Sequence, residues 1–472
     1  MATRVLTAFS PRVLRSGLPS GLANVLSFAL PLVLPFVLPF ALSLPLAAPA
    51  LAQTPLTTAE FGRATHEVTA GSPDPAAANT VSLEDVLGLA AERNPLLRGA
   101  RSEADASAGA LMQAGVFPNP ELSLLQEGFR GNERTSTALL NQKVELGNKR
   151  GARLDIAGYG RDVALASLDG RAAALRADVI AAFYGLLAAQ WQLQTMHDSA
   201  AIAAKSADLA QRRARAGKVS PVEALKAKVA ATSVEIELAT LQARIGTAHE
   251  RLVAVSGSPA LLNRAAGGDL ETLPAVPPLP QLLQHLDDSP ISRRARAEMF
   301  RSSAVVALEN ARRIPDITVT AGAKRIVTGG VNDNQAVIGI SIPLPLFDTN
   351  KGAILEAAHK ADKASADLDS ENAQLRLDLT QAYANYDSST QEARRLKRDV
   401  LPAAREALDA MTRGVELGKF SVLDVLDTQR TLFQIRSQYL QALIRSYQAY
   451  ADLGRLTGTP LRADLSRTNP LP

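Results

Sequence analysis

The chain has 472 residues, 46% of them hydrophobic and 4% aromatic, with 51 basic side chains against 47 acidic ones and no cysteine. The missing cysteine excludes a disulfide framework, a thiolate metal site and an acylated N-terminal cysteine. A net charge of +4, to which Arg4, Arg12 and Arg15 contribute most, gives no basis for nucleic-acid binding.

Residues 1–52 carry no acidic side chain. Three arginines precede an apolar run from about Leu22 to Ala48, and Ala50-Leu51-Ala52 before Gln53 has the small-x-small form of a signal-peptidase site. Pro31, Pro35, Pro39 and Pro45 oppose a spanning helix, because each removes a backbone donor and clashes with the preceding turn. Residues 1–52 are therefore predicted to be an export signal, with 53–80 a Thr/Ala/Pro-rich lead-in. No later stretch reads as long and apolar enough for a transmembrane helix, so residence in a membrane would require a β-barrel.

A helix is expected from Leu83 to about Ala114, capped by Ser82 with Asp85 in its first turn and interrupted at Asn94-Pro95. Two strands with period-two alternation follow, about Glu121–Glu127 and Thr135–Leu146, around the turn signal Gly128–Asn132. The next proline after this hairpin lies beyond Gly217. A helix of that extent would measure about 100 Å. Its seam reads Leu168, Ala172, Leu175, Val179, Ala182, Leu186, Ala189, Leu193 and Met196, the four-three spacing of coiled-coil packing.

The pattern then repeats after roughly 200 residues. Phe117-Pro118-Asn119 returns as Ile314-Pro315-Asp316, Asn148-Lys149 as Asn350-Lys351, and Gly217-Lys218-Val219-Ser220 as Gly418-Lys419-Phe420-Ser421. The second hairpin places Ile317, Val319, Ala321 and Ala323 on one strand. Ala336, Ile338, Ile340, Ile342 and Leu344 lie on the other, after a loop at Gly329–Asn334. The second seam runs through Leu368, Asn372, Leu375, Leu379, Ala382, Tyr386, Ala393, Leu396 and Val400. The halves are thus residues 81–257 and 291–458, joined by a proline-rich linker at 258–290 and followed by a polar tail at 459–472. Strands of about ten residues suit a tilted crossing of a bilayer, but four strands cannot close a membrane barrel, which needs about eight. Any such barrel must be shared between copies. A soluble half-buried hairpin fits the alternation equally well.

No catalytic constellation is visible, and the histidines, His66, His197, His249, His285 and His359, have no metal-ligand spacing. The chain reads as no enzyme and calls for no cofactor.

Leu417-Gly418-Lys419-Phe420-Ser421-Val422-Leu423-Asp424-Val425-Leu426-Asp427, within this duplicated order of elements, resembles the TolC-like outer-membrane efflux protein family. The first tip is a weaker copy, with Glu223 and Lys226 where the second has Asp424 and Asp427. The resemblance implies a mainly α fold with a transmembrane β-hairpin pair, a TolC-like trimeric α/β-barrel. Three chains would share one twelve-stranded barrel and a long periplasmic helical tunnel. It also implies a homotrimer in the cell outer membrane, in contact with its lipid, docked to a periplasmic adaptor and an inner-membrane pump. The tips, Gly217, Lys218, Ser220, Glu223, Gly418, Lys419 and Ser421, would form the adaptor-docking surface. Asp424 and Asp427 would ring the tunnel entrance. Gln113–Leu122 and Val144–Arg150 resemble a narrower branch that serves heavy-metal cation efflux of the cobalt–zinc–cadmium type. The alternatives are a periplasmic coiled-coil protein without a pore, or a duct for drugs or secreted proteins.

Overall fold

The computed structural model describes residues 79–458 apart from 131, 132 and 418. The expected export signal, nearly all of the lead-in, the tail and the tip residue Gly418 lie outside the described residues.

The first repeat opens with a two-residue strand β1, Thr80–Val81, then helices α1, Leu83–Arg93, and α2, Pro95–Ala114. Ser82 and Asp85 form a reciprocal capping box, each side chain bonding the other's backbone N–H. Asn94 ends α1 in an extended conformation and caps α2, accepting from the N–H groups of Leu96 and Leu97. Strands β2, Glu121–Arg130, and β3, Glu133–Val144, form the first hairpin. Helix α3, Lys149–Arg215, is 67 residues long, and α4, Pro221–Ser256, returns beside it. The segment 258–290 is a packed belt. It contains β4, Ala265–Ala266, paired in parallel with β1, and the short helix α5, Leu279–Gln284. Leu261 and Leu270 are fully buried there. The second repeat gives α6, Pro290–Arg312, β5, Ile317–Thr328, β6, Val331–Ser341, α7, Lys351–Arg395, α8, Leu401–Glu416, and α9, Val422–Thr457.

Strands β2, β5 and β6 are longer than their alternation suggested, whereas β3 keeps the expected length and lies two residues earlier, ending at Val144 and not Leu146. Gly128, expected in the first turn, has φ +70 and sits where the β2–β3 register shifts, between Glu127 and Arg130. A side chain there would lie 2.5 Å from the Glu133 carbonyl, so this glycine makes a bulge within the strand. In the second hairpin only Gly329 and Gly330 turn, both at positive φ, as a two-residue primed turn requires. Asn332, Asp333 and Asn334 therefore belong to β6. That strand stops at Ser341, short of the expected Leu344, because Pro343 and Pro345 cannot donate to a ladder.

The long helices pack through alanines and aliphatics at the expected spacing over most of their length. Val179, Ala182, Leu186 and Met196 are buried, whereas Ala172 is exposed. In the second repeat the spacing breaks once. Residues Leu396–Val400 form a turn of π-helix immediately before Leu401-Pro402. The extra residue moves the seam on by one, so Leu401 is buried at 6% exposure while Val400 is left at 38%. Pro402 offers no N–H to the preceding turn, and the wider π turn accommodates its ring. Among the described residues α3 alone contains a window apolar enough to cross a membrane by length and composition, with mean hydropathy 1.5 and 44% of it buried. This departs from the sequence reading. The buried alanines of that helix raise its hydropathy while serving as close-packing knobs.

The belt is stapled to the helices around it. Tyr447 donates to the Thr272 carbonyl at 2.8 Å and Tyr386 to the Pro274 carbonyl. Glu271 accepts from Tyr439 at 3.1 Å and pairs with Lys397 at 2.8 Å. Burial, with the Glu271 carboxylate second, pushes the Tyr439 phenol well above its usual range.

Candidate functional site: one sheet and two helical tips

The four strands form one antiparallel sheet in the order β2-β3-β5-β6. Its register aligns side chains by face. Leu122, Leu140, Ala321 and Ile338 form one row across all four strands, and Leu124, Ala138, Ala323 and Ala336 form the next. Val319 and Ile340 continue the band. These residues face outward in the chain, with Leu122 at 58%, Ile338 at 85% and Ile340 at 70% exposure. The same face turns polar toward the hairpin ends, at Gln126, Ser136, Arg325 and Asn334. On the opposite face, Asn141 donates to Ser123 at 3.0 Å and accepts from Thr320 at 2.7 Å. Apolar outward and hydrogen-bonded polar inward is the pattern of a membrane barrel wall. Gly322 permits the β3–β5 approach, because a Cβ there would lie 2.1 Å from the Ala138 carbonyl. Among the described residues strands β2 and β6 are left as unpaired edges, which a closed barrel must pair.

At the far end of the long helices the two tips share one construction. Gly217 has φ +70 at the end of α3, and the N–H of Lys218 reaches the Arg213 carbonyl at 2.9 Å. In the second tip the Lys419 N–H reaches the Gly414 carbonyl at 2.8 Å. Both are six-to-one closures of a Schellman-type turn. Among the described residues nothing lies near a Cβ built at Gly217, so the glycine is required by its left-handed backbone conformation. Gly217→Val is expected to cost about 1–2 kcal/mol by forcing a β-branched residue into left-handed geometry. Thermal unfolding followed by helix ellipticity checks this, and an unchanged midpoint would remove the turn's dependence on glycine.

Ser220 caps α4 by accepting from the Val222 N–H at 3.2 Å, with Glu223 half-buried in the first turn. Ser421 caps α9 differently. Its N–H donates to Asp424 Oδ2 at 2.9 Å, and its hydroxyl accepts from the Asp424 N–H at 3.3 Å, a full capping box. Asp424 and Asp427 are both exposed on one face, opposite the buried Val422, Val425 and Leu426. The structure thus separates them. Asp424 closes the helix start, while Asp427 projects one turn on with no ion pair among the described residues. Arg413, Lys419 and Arg430, candidate partners by proximity in sequence, form no salt bridge with either aspartate among the described residues.

Three features here escaped the sequence reading. Arg213 donates to the Val415 carbonyl at 3.1 Å and Gln429 to the Ser199 carbonyl at 2.6 Å, tying the first helical hairpin to the second. The Phe420 ring lies over Gly414, where a Cβ would meet it at 2.1 Å. A glycine inside a helix was the available signal for that close approach.

A family profile described as "Outer membrane efflux protein" matches residues 86–258 and 283–459. The chain is 44% identical over 383 residues to the cobalt-zinc-cadmium resistance protein CzcC of Cupriavidus metallidurans, covering 81% of this chain and 91% of that one. It is 29% identical over 266 residues to the nickel and cobalt resistance protein CnrC of the same species, covering 55% and 62%. Among solved structures it resembles CusC, with a TM-score of 0.69 at 16% identity over 80% of this chain and 92% of that one. It also resembles VceC of Vibrio cholerae, with a TM-score of 0.66 at 18% identity over 80% and 97%. These two likenesses concern the fold.

Proposed function

The chain belongs to the outer membrane efflux protein family, and we propose that it is the passive exit duct of a three-part efflux assembly for divalent heavy-metal cations. The observation that carries the duct reading is the sheet. An apolar row crosses all four strands on one face and a hydrogen-bonded polar row lies on the other, and the strands lead into helices of which the longest, at 67 residues, extends about 100 Å. A periplasmic coiled-coil protein without a pore has no use for such an outward apolar band, which in water would be an aggregation liability. With two open edges, the sheet needs other copies to close. Three copies give a homotrimer with twelve strands and six quasi-equivalent helical hairpins. The helices continue the barrel as a tunnel toward the inner membrane.

The tips are the surface for a periplasmic adaptor, which joins the duct to an inner-membrane pump. Gly217, Lys218, Ser220 and Glu223 form one docking turn, and Gly418, Lys419 and Ser421 the other. Asp427, with Asp424 beside it, rings the entrance and attracts cations. The metal substrate is argued from the chain's likeness to CzcC and CnrC, whose names specify cobalt, zinc, cadmium and nickel resistance. The duct performs no bond chemistry, and the pump supplies the driving force. Deleting the gene is expected to lower tolerance to zinc, cobalt and cadmium, with recovery on complementation. Unchanged metal tolerance alongside lost tolerance to organic toxicants would favour a drug duct.

A further inference from the structure

We infer that the outward-facing junction of the second repeat, at Phe347, Thr349, Lys351 and Leu355, docks on Phe117 and Asn119 of a second copy of the chain. It would use the geometry by which the first repeat docks on the second within one chain. The inference rests on the homotrimer proposed above and names a contact that builds it.

The internal junction shows the geometry. Asn148 starts α3 from left-handed φ, +61, next to Gly147 at φ +71. A Cβ at Gly147 would lie 2.9 Å from the Ala311 carbonyl and 3.1 Å from Ile314 Cβ. Lys149 is buried at 9% exposure, its ammonium donating to the Ile314 carbonyl at 2.7 Å and pairing with Asp316. Arg153 forms a two-pronged pair with Glu145. Through Gly147, Lys149 and the Leu146 N–H the end of β3 and the start of α3 are seated on the end of α6 and the start of β5, while the Glu145–Arg153 pair braces the corner within its own repeat, Arg153 also donating to the Val116 carbonyl at 3.3 Å.

The repeat supplies a counterpart for every part of this junction. Asn350 has φ +58 and starts α7 as Asn148 starts α3. By the same alignment Thr349 stands for Gly147, Lys351 for Lys149, Phe347 for Glu145 and Leu355 for Arg153. The receiving side is Phe117 for Ile314 and Asn119 for Asp316. Among the described residues these counterparts do not meet, and apart from the half-buried Thr349 they are exposed. Phe347 is 100%, Leu355 61% and Phe117 67% exposed, and Lys351 and Asn119 are also open.

What covers such a surface is already visible, because in the internal junction it is the neighbouring repeat. For the outward junction the neighbouring repeat must come from another copy. The open edges β2 and β6 flank the same two surfaces, so strand pairing and junction docking would occur together. The contact is head-to-tail, the kind that closes into a ring. The side chains differ as an interface between copies requires. The Glu145–Arg153 ion pair is replaced by Phe347 and Leu355, and Asp316 by Asn119. An apolar pair can be exposed before assembly and buried after it without desolvating charges.

The chain contains no cysteine, so an engineered pair is free of background. Phe117→Cys with Thr349→Cys reproduces the close Gly147–Ile314 approach, near the Cβ spacing of about 3.5–4.5 Å that a disulfide spans. After oxidation with copper-phenanthroline, the detergent-purified double variant should run as dimers and trimers on non-reducing denaturing gels. It should return to monomer with thiol, and each single variant should remain monomeric. Light scattering in detergent separates the two ways to fail. A trimer without the disulfide overturns this contact, and a monomeric native protein overturns the homotrimer itself. As a second arm, Phe347→Glu with Leu355→Arg installs the internal ion pair in the outward junction. It should lower the temperature at which trimers dissociate, and an unchanged temperature overturns the docking.

Discussion

Replacing Asp316 with alanine is expected to destabilise the chain by about 3–5 kcal/mol, the usual cost of removing one partner from a buried ion pair. Its carboxylate is 13% exposed and is held by Lys149, itself 11% exposed, by Lys143 at 3.0 Å and by the Leu146 N–H at 3.3 Å. Without it the Lys149 ammonium stays buried with only the Ile314 carbonyl. Asp316→Asn should be milder, since an amide still offers an acceptor and Asn119 occupies the equivalent position in the other repeat. The difference should depend on pH. Burial alone raises the Asp316 pKa, but hydrogen bonds from Lys149, Lys143 and the Leu146 N–H outweigh it and leave the carboxyl below the usual range. A carboxylate so shifted contributes its stability above its unfolded pKa of about 3.9 and loses it as pH falls through the folded value. The deficit of Asp316→Ala should therefore be complete at neutral pH and shrink below roughly pH 4. Denaturant unfolding across that range measures it, and equal midpoints at neutral pH would contradict a structural role for the pair.

Neutralising Asp424 and Asp427 together is expected to weaken cation preference and relieve block by multivalent cations in single-channel recordings. Three copies of each would place six carboxylates around one constriction, where like charges attract counter-ions strongly. The two residues make unequal tests. Asp424→Ala also removes half of the α9 capping box and so perturbs the helix start. Asp427→Asn leaves that box intact and isolates the charge. Trimer stability should hold in the Asp427 variant, because the side chain is exposed and carries no packing. If Asp427→Asn conducts with unaltered selectivity and block, the ring gives way to a local role in helix capping.

The duplication was legible because its landmarks are backbone devices. The two left-handed asparagines, Asn148 and Asn350, recur in sequence because the strand-to-helix corner demands that geometry, and Gly217 marks a turn for the same reason. The alternation of the strands was legible because burial has period two on a pleated surface. The apolar row across four strands was not, since it depends on a register between β3 and β5 that joins distant halves. The π turn was hidden because the heptad pattern runs smoothly through Leu396 and Val400, and only Pro402 disturbs it. The role of Asp424 was half legible. Ser421 and Asp424 have capping-box spacing, but only the hydrogen bonds distinguish it from Asp427. Gln429 and Arg213 bond across hairpins to carbonyls, a choice of partner that no local pattern records.

If copies of this chain close their sheets into one duct, the purified protein should conduct ions across planar lipid bilayers. Discrete, uniform conductance steps are expected without any energy source, carried by detergent-stable trimers and favouring cations. Trimers that insert into the bilayer yet give no steps, or a protein that stays monomeric in detergent with its four strands folded, would contradict a shared duct.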